Sequence, residues 1–279
     1  MSKKFTRKLF IIAIPAIAGF LIMYVYPMLR VAYYSLINNT YHAEFVGLAN
    51  YAEVLGNRYF QLAMSNTMIF SSVSVFLLLL IAIVLSYFIL AAGKRVKRLL
   101  ACVILPAAVP SAAMIYVWRL CFANSCYDEL RGLEFLGNAF EILPVLTLFL
   151  WKNAGIAVMI VTAGLLKIPD EISDAARLET SSQAVIFTKI LLPQIRPELL
   201  FTGMLGFVFS LRIFRESNLY YGTDYPPDAA YTLQYYMNNH FHKLDYQILS
   251  AATVLLVLIM TVITVFFYRA EERYIKSVI

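Results

Sequence analysis

The chain has 279 residues, 61% of them hydrophobic and 14% charged, with a formal net charge of +6 and a mean hydropathy of +0.72. A soluble domain has roughly 45–50% apolar and about 25% charged residues, so this composition excludes a soluble enzyme or binding module and defines an integral membrane protein. Three cysteines are too few for a disulfide scaffold: Cys121 and Cys126 fall in one loop and could pair if that loop is extracytoplasmic, and Cys102 in an apolar run reads as ordinary packing.

The N-terminus, "MSKKFTRK" followed by "LFIIAIPAIAGFLIMYVYP", begins like a secretory signal. Its apolar part runs from Leu9 to beyond Val25, longer than the roughly 7–15 residues of a signal core, so an uncleaved first span is expected at about 9–28. Five more follow. Residues 67–92 carry no charge, and 99–120 are apolar but interrupted by Pro106 and Pro110. Residues 142–166 carry Lys152 before the closing Lys167, 198–218 hold a short apolar run from Leu199 to Leu211 that continues into "RIFRE", and 247–268 are uncharged again. At about 20 residues per span, the simplest account is a single all-α transmembrane domain, residues 1–279, with six spans and both termini on one side.

Basic residues decide which side. Lys3, Lys4, Arg7 and Lys8, the turn "GKRVKR", the loop from Lys167 to Arg196 and the tail with Arg269, Arg273 and Lys276 alternate with basic-poor loops. By the positive-inside rule these segments are cytoplasmic. The net charge is therefore a topology signal, and nucleic acid need not be invoked. The loop containing "SCYDELRGLEF" is net acidic and expected outside.

Between the fourth and fifth spans, residues 167–197 are polar and carry both charge signs. "IPDEISDAARLETSSQAVIFTKILLPQIRPEL" reads as two short helices. Pro169 suits a first helical turn, and Asp170, Glu171 and Asp174 complement the positive helix N-terminus. The first helix should end near Glu179. Thr180 with Gln183 three residues on matches a capping box for the second.

The stretch resembles the cytoplasmic-loop signature of binding-protein-dependent ABC importer permeases: E-A-A, three residues, G, nine residues, I-x-L-P. Asp174-Ala175-Ala176 stand at E-A-A, Thr180 at the G, and Ile190, Leu192 and Pro193 at I-x-L-P. Asp174 is one methylene shorter than the family's Glu, and Thr180 resists the positive φ that Gly adopts readily. As an N-cap Thr180 would use β-region angles instead. "FVGLANY", "SNT" before the second span, "LPAAVPSAAMIYVWR" and "WKNAGIAVMIVTAGLLKIPDEISDAA" resemble the carbohydrate and glycerol-phosphate (maltose-type) branch. "FRESNLYYGTDYPPDAAYTLQYY" keeps Phe214, Glu216 and Gly222 but has Pro226-Pro227 in place of that branch's glycine cluster.

The resemblance implies a type I importer permease fold with a coupling-helix loop between helices 4 and 5. It implies half of a translocation pathway for a sugar or oligosaccharide, in a bacterial or archaeal plasma (inner) membrane. The first short helix would dock on an ATPase subunit through Asp174, Ala175, Ala176, Arg177 and Glu179, with Thr180 and Pro193 shaping the loop. Expected partners are a second, different permease, two ATPase subunits and an extracytoplasmic solute-binding protein. No Walker A pattern occurs, so ATP hydrolysis is expected in a partner subunit, and this chain is expected to be non-catalytic and without a cofactor.

Ionisable residues in or near spans mark either a pathway or a buried pair. Lys152 with Asn153, and Arg212, Arg215, Glu216 and Tyr220, are the candidate pathway residues. Two structural readings stand beside them. Arg212, Glu216 and Tyr220 fall at i, i+4, i+8, so Arg212 and Glu216 could neutralise each other; Lys152 could serve an intersubunit salt bridge. Arg212 and Arg215 leave open an anionic sugar, a glycerol phosphate ester or a peptide-like solute as cargo. Arg119 beside Trp118 reads as an interfacial, snorkelling cation. His240 and His242 read as an external polar loop and not a metal site. A secondary transporter would be expected to show inverted repeats and midplane carboxylates; neither is found.

Overall fold

The computed structural model describes residues 14–39, 42–122 and 139–278. The N-terminal basic segment, the acidic loop and the pairing of Cys121 with Cys126 lie outside the described residues. Among those described the fold is all-α; the only extended pairing is an isolated bridge between Ile37 and Phe45. Among the described residues four helices are long and apolar enough to cross a membrane, or up to six if each of two bent pairs is one span.

The described residues form two compact units, one of residues up to Gln61 with Tyr236–Thr261, the other of Leu62–Tyr235 with residues from Val262 on. The first contains α1 (Ile14–Tyr34) and α2 (Ala49–Gly56). None of the apolar stretch of α1 is buried within the chain, as suits a helix whose solvent is lipid. Between them Asn50 donates from Nδ2 to the carbonyls of Ser35 (3.0 Å) and Ile37 (2.9 Å). This satisfies a loop backbone that has no helix to pair with.

The long α3 (Arg58–Ala91) starts well before residue 67, so "SNT" lies inside this helix and not ahead of it. There it serves the second unit: Asn66 donates to the carbonyls of Asp228 (2.6 Å) and Tyr231 (3.0 Å), and Thr67 Oγ1 accepts from the Leu233 amide (2.8 Å). The third span is α4 (Val96–Ala108) and α5 (Ser111–Phe122), bent by 92° between them. Pro110 has no N–H to continue α4 and forces its predecessor Val109 to extended angles (ψ 132°), as expected before proline.

The axis of this unit is α6 (Ala139–Leu165), against which α4 and α9 pack. Gly155 allows the approach of α4: a Cβ there would stand 2.3 Å from the Val103 carbonyl oxygen. Phe70, Leu78, Phe149, Val158 and Val161 form the core. Small hydroxyls stitch the helices, as is common where lipid removes the hydrophobic drive between spans. Thr162 donates to Ser86 (2.9 Å), Ser86 to the Val158 carbonyl (3.3 Å), and the Ser71 and Ser210 hydroxyls pair at 2.8 Å.

The loop after α6 contains α7 (Asp170–Glu179) and α8 (183–194). The fifth span is α9 (Arg196–Leu211) followed by α10 (Phe214–Tyr221), bent by 41°. Then come α11 (Leu233–His242) and α12 (Tyr246–Val278). His240 and His242 thus stand on a helix and not in a loop, and His240 Nδ1 lies 2.9 Å from Asp245 Oδ2. Both wide π-turns, Leu21–Val25 and Phe187–Leu191, end two residues before a proline, Pro27 or Pro193. The ring displaces the carbonyl four residues back, and the helix relieves the clash by widening.

Candidate functional site

Lys152 stands midway along the 27 residues of α6, where an unpaired cation would be costly. Its Nζ donates to Glu216 Oε1 (2.6 Å) and to Ser111 Oγ (2.6 Å), and Ser111 donates to the same carboxylate oxygen (2.9 Å). One lysine thus ties the residue that begins α5 to the first turn of α10, just past both bends. Glu216 is 10% and Lys152 29% exposed at the side chain, so the pair is shielded but not sealed.

The pair forms one wall of a cavity of about 480 Å³, also lined by Asn153, Arg212, Arg215, Gln234 and the rings of Phe149, Phe209 and Phe214. Five of the six candidate pathway residues therefore meet at one place. Tyr220 is not among the lining residues; it packs with the cluster of Met114, Ile115 and Leu148. The neutralisation of Glu216 by Arg212 does not occur. The helix breaks at Arg212, which ends α9 with φ −91° and ψ 5°, so the i,i+4 register is interrupted and Glu216 turns to Lys152. That same contact gives Lys152 a partner within the chain. Arg212 and Arg215 are exposed.

Gln234 holds its place by accepting the Phe214 amide at Oε1 (3.3 Å). Its neighbour Tyr235 pairs with Ser217 (3.1 Å). Burial pushes this phenol up to about 12, the Ser217 hydrogen bond opposes the rise and Asp224 adds to it. It is therefore neutral at physiological pH and adds no negative charge beside the cavity. Arg119 does more than snorkel: its guanidinium donates to the Leu219 and Tyr220 carbonyls (2.8 Å each), closing the C-terminal end of α10. There Gly222 adopts φ +68°, a left-handed cap that favours glycine.

A second candidate surface is the two-helix loop. α7 ends at Glu179, as its sequence signals. Thr180 is its C-cap, extended at φ −151° and ψ 140°, and not the N-cap of a capping box. The next helix opens from Ser182 without a side-chain cap, and Thr180 Oγ1 accepts the Ser182 amide (3.3 Å). Pro169 is the N-cap position and not the first helical residue. Asp174 forms an intrahelical pair with Arg177 (3.5 Å). Ala175 is exposed, whereas Ala176 is 5% exposed and turned into this chain, so it is not offered outward.

The outward face of α7 carries Glu171, Asp174, Ala175 and Leu178, with Leu178 90% exposed. Their i, i+3, i+4, i+7 spacing could have revealed Leu178 from sequence. Ser111 and Gln234, by contrast, carry no local signal. α8 is anchored through Phe187, which is 6% exposed and edge-on to Tyr87 at 4.9 Å. Pro193 is half-buried at the end of this segment. Lys167 and Glu198 (3.3 Å) join the two stems of the loop.

Broken apolar spans around a charged cavity, with an amphipathic two-helix loop between two of them, define a membrane transport subunit. The profile of the family described as "Binding-protein-dependent transport system inner membrane component" matches residues 89–277, and the chain belongs to that family of importer permeases. It is 28% identical to the trehalose/maltose transport system permease protein MalF of Thermococcus litoralis, over 91% of each chain. It is 24% identical to the sn-glycerol-3-phosphate transport system permease protein UgpA of Yersinia pestis, over 96% of this chain and 95% of that one. Among solved structures, a chain of a bacterial ABC transporter involved in the import of the acidic polysaccharide alginate shares the fold. Its TM-score is 0.79 at 18% identity, over 97% of this chain and 96% of that chain.

Proposed function

We propose that this chain forms half of the translocation pathway of an ATP-driven importer for a sugar or oligosaccharide, in a bacterial or archaeal plasma membrane with both termini cytoplasmic. A second permease, different from this one, completes the pathway; two ATPase subunits drive it and an extracytoplasmic solute-binding protein delivers the cargo. ATP is consumed by the ATPase subunits, while this chain holds no cofactor and contributes contacts and not catalysis. Relatives named for trehalose and maltose, arabinooligosaccharides and lactose support the carbohydrate class.

The observation that carries the coupling role is the exposed face of α7, where Leu178 stands 90% exposed beside Asp174 and Glu171. An apolar knob with an acidic rim fits a pocket edged by basic residues, and buried apolar anchors dominate such contacts. Asp174, Ala175, Arg177 and Glu179 frame this knob. Thr180 and Pro193 shape the loop, and Ala176 seats the helix on its own chain.

The test is co-purification of the ATPase subunit with the membrane-inserted Asp174→Lys/Leu178→Glu variant. Loss of a central anchor of about 2 kcal/mol weakens association by more than tenfold, so ATPase recovery should fall at least that far while the membrane level of the permease holds. Recovery equal to wild type would remove α7 from the coupling role.

A further inference from the structure

We propose that the cavity beside Lys152 and Glu216 receives an anionic group of the transported solute, a carboxylate or phosphate ester, through Arg212 and Arg215. The proposal rests on the permease reading above and narrows its substrate class.

The charge balance of the lining carries the argument. Lys152, Arg212 and Arg215 are cationic and Glu216 is the one carboxylate among the lining residues. Lys152 and Glu216 cancel each other at 2.6 Å, which leaves two guanidinium groups without an ion pair among the described residues. Helix electrostatics account for one of them only. Arg212 ends α9, where a cation complements the exposed carbonyls, but Arg215 lies in the first turn of α10, where the helix dipole disfavours positive charge.

Position makes two such residues unlike ordinary surface arginines. They stand at the bend between the two helices of the fifth candidate span, and ionisable groups within a span mark solute pathways. A guanidinium presents a planar fork of donors that matches carboxylate and phosphate oxygens.

The rest of the lining suits a carbohydrate body. Phe149, Phe209 and Phe214 offer apolar faces and Asn153 and Gln234 offer amides. The volume of about 480 Å³ lies within the roughly 300–1,000 Å³ of small-molecule sites.

The experiment uses the importer complex purified with its second permease and ATPase subunits. Phenylglyoxal modifies exposed guanidinium groups, and peptide mass spectrometry reads the rate at Arg212 and Arg215. Galacturonate and glucose 6-phosphate are compared at equal concentration with galactose and glucose. At least fivefold slower labelling of both arginines by one anionic probe, with neither neutral sugar protecting, is the expected result, and the protecting probe tells carboxylate from phosphate. Equal labelling rates with all four probes would overturn the proposal. So would arginines already unreactive without any probe, because their counter-ion would then come from the assembled protein. Labelling does not depend on transport, so the proposal can fail while the permease reading stands; failure of the latter shows in the ATPase co-purification.

Discussion

Lys152 is the residue on which most of the site's geometry depends. A cation midway along α6 is tolerated because Glu216 and Ser111 meet it at 2.6 Å. Removing one partner of such a pair is more damaging than removing both, since it leaves the other charge buried and unpaired. Glu216→Gln should therefore lower stability by about 2–3 kcal/mol, below the roughly 3–5 kcal/mol of fully buried pairs because Lys152 is 29% exposed. The double variant Lys152→Met/Glu216→Gln should return to within about 1 kcal/mol of wild type. Thermal unfolding of the detergent-solubilised protein checks both, and a double variant less stable than Glu216→Gln would refute the argument. Each partner was legible separately as a charge in an apolar run. Their pairing was not, because 64 residues separate them and helical periodicity assigns Glu216 to Arg212. Only the break at Arg212 redirects it.

Among the elements, those governed by local chemistry were legible and those governed by close approach were not. The end of α7 at Glu179 follows from the residues themselves, and so does the interruption of the third span at Pro110. The polar run "TSSQ", by contrast, offers several caps in succession, and tertiary anchoring of α8 through Phe187 selects a start at Gln183 over the capping box at Thr180. The crossing of α4 over α6 likewise left no pattern in the sequence beyond one glycine in an apolar run. Gly155 permits it, and the atom in the way of any Cβ is backbone, the Val103 carbonyl oxygen at 2.3 Å, which no rotamer change can move. Gly155→Ala should force the helices apart and cost about 2 kcal/mol or more. Gly19→Ala in α1, where nothing lies within 4 Å, should be neutral or slightly stabilising because alanine is the better helix former. Folded yield and thermal midpoint, measured side by side, test the contrast; equal behaviour of the two variants would mean that α4 and α6 do not cross this closely.

At the scale of the whole molecule the bilayer itself makes the sequence readable. Spans must satisfy their own backbone, so their apolar runs are long and contiguous, and cationic loops stay on the cytoplasmic side. The loop holding α7 and α8 carries Lys167, Arg177, Lys189 and Arg196, whereas the segment from Gly222 to Asp245 carries Lys243 alone among lysines and arginines. With an even number of spans this asymmetry makes a definite prediction for exposed positions after the first, fourth and fifth spans. Phe45, Leu178 and Tyr225 are 75%, 90% and 67% exposed and serve as reporters once the native cysteines are replaced. A membrane-impermeant maleimide should label Phe45→Cys and Tyr225→Cys in intact cells. It should reach Leu178→Cys only after the membrane is opened. Labelling of Leu178→Cys from outside would invert the topology and put α7 beyond the reach of any cytoplasmic ATPase. The three positions together also test whether each bent helix pair, α4 with α5 and α9 with α10, crosses the membrane once: one re-entrant pair would place Phe45 and Tyr225 on opposite sides, and two would place Leu178 on the same side as both.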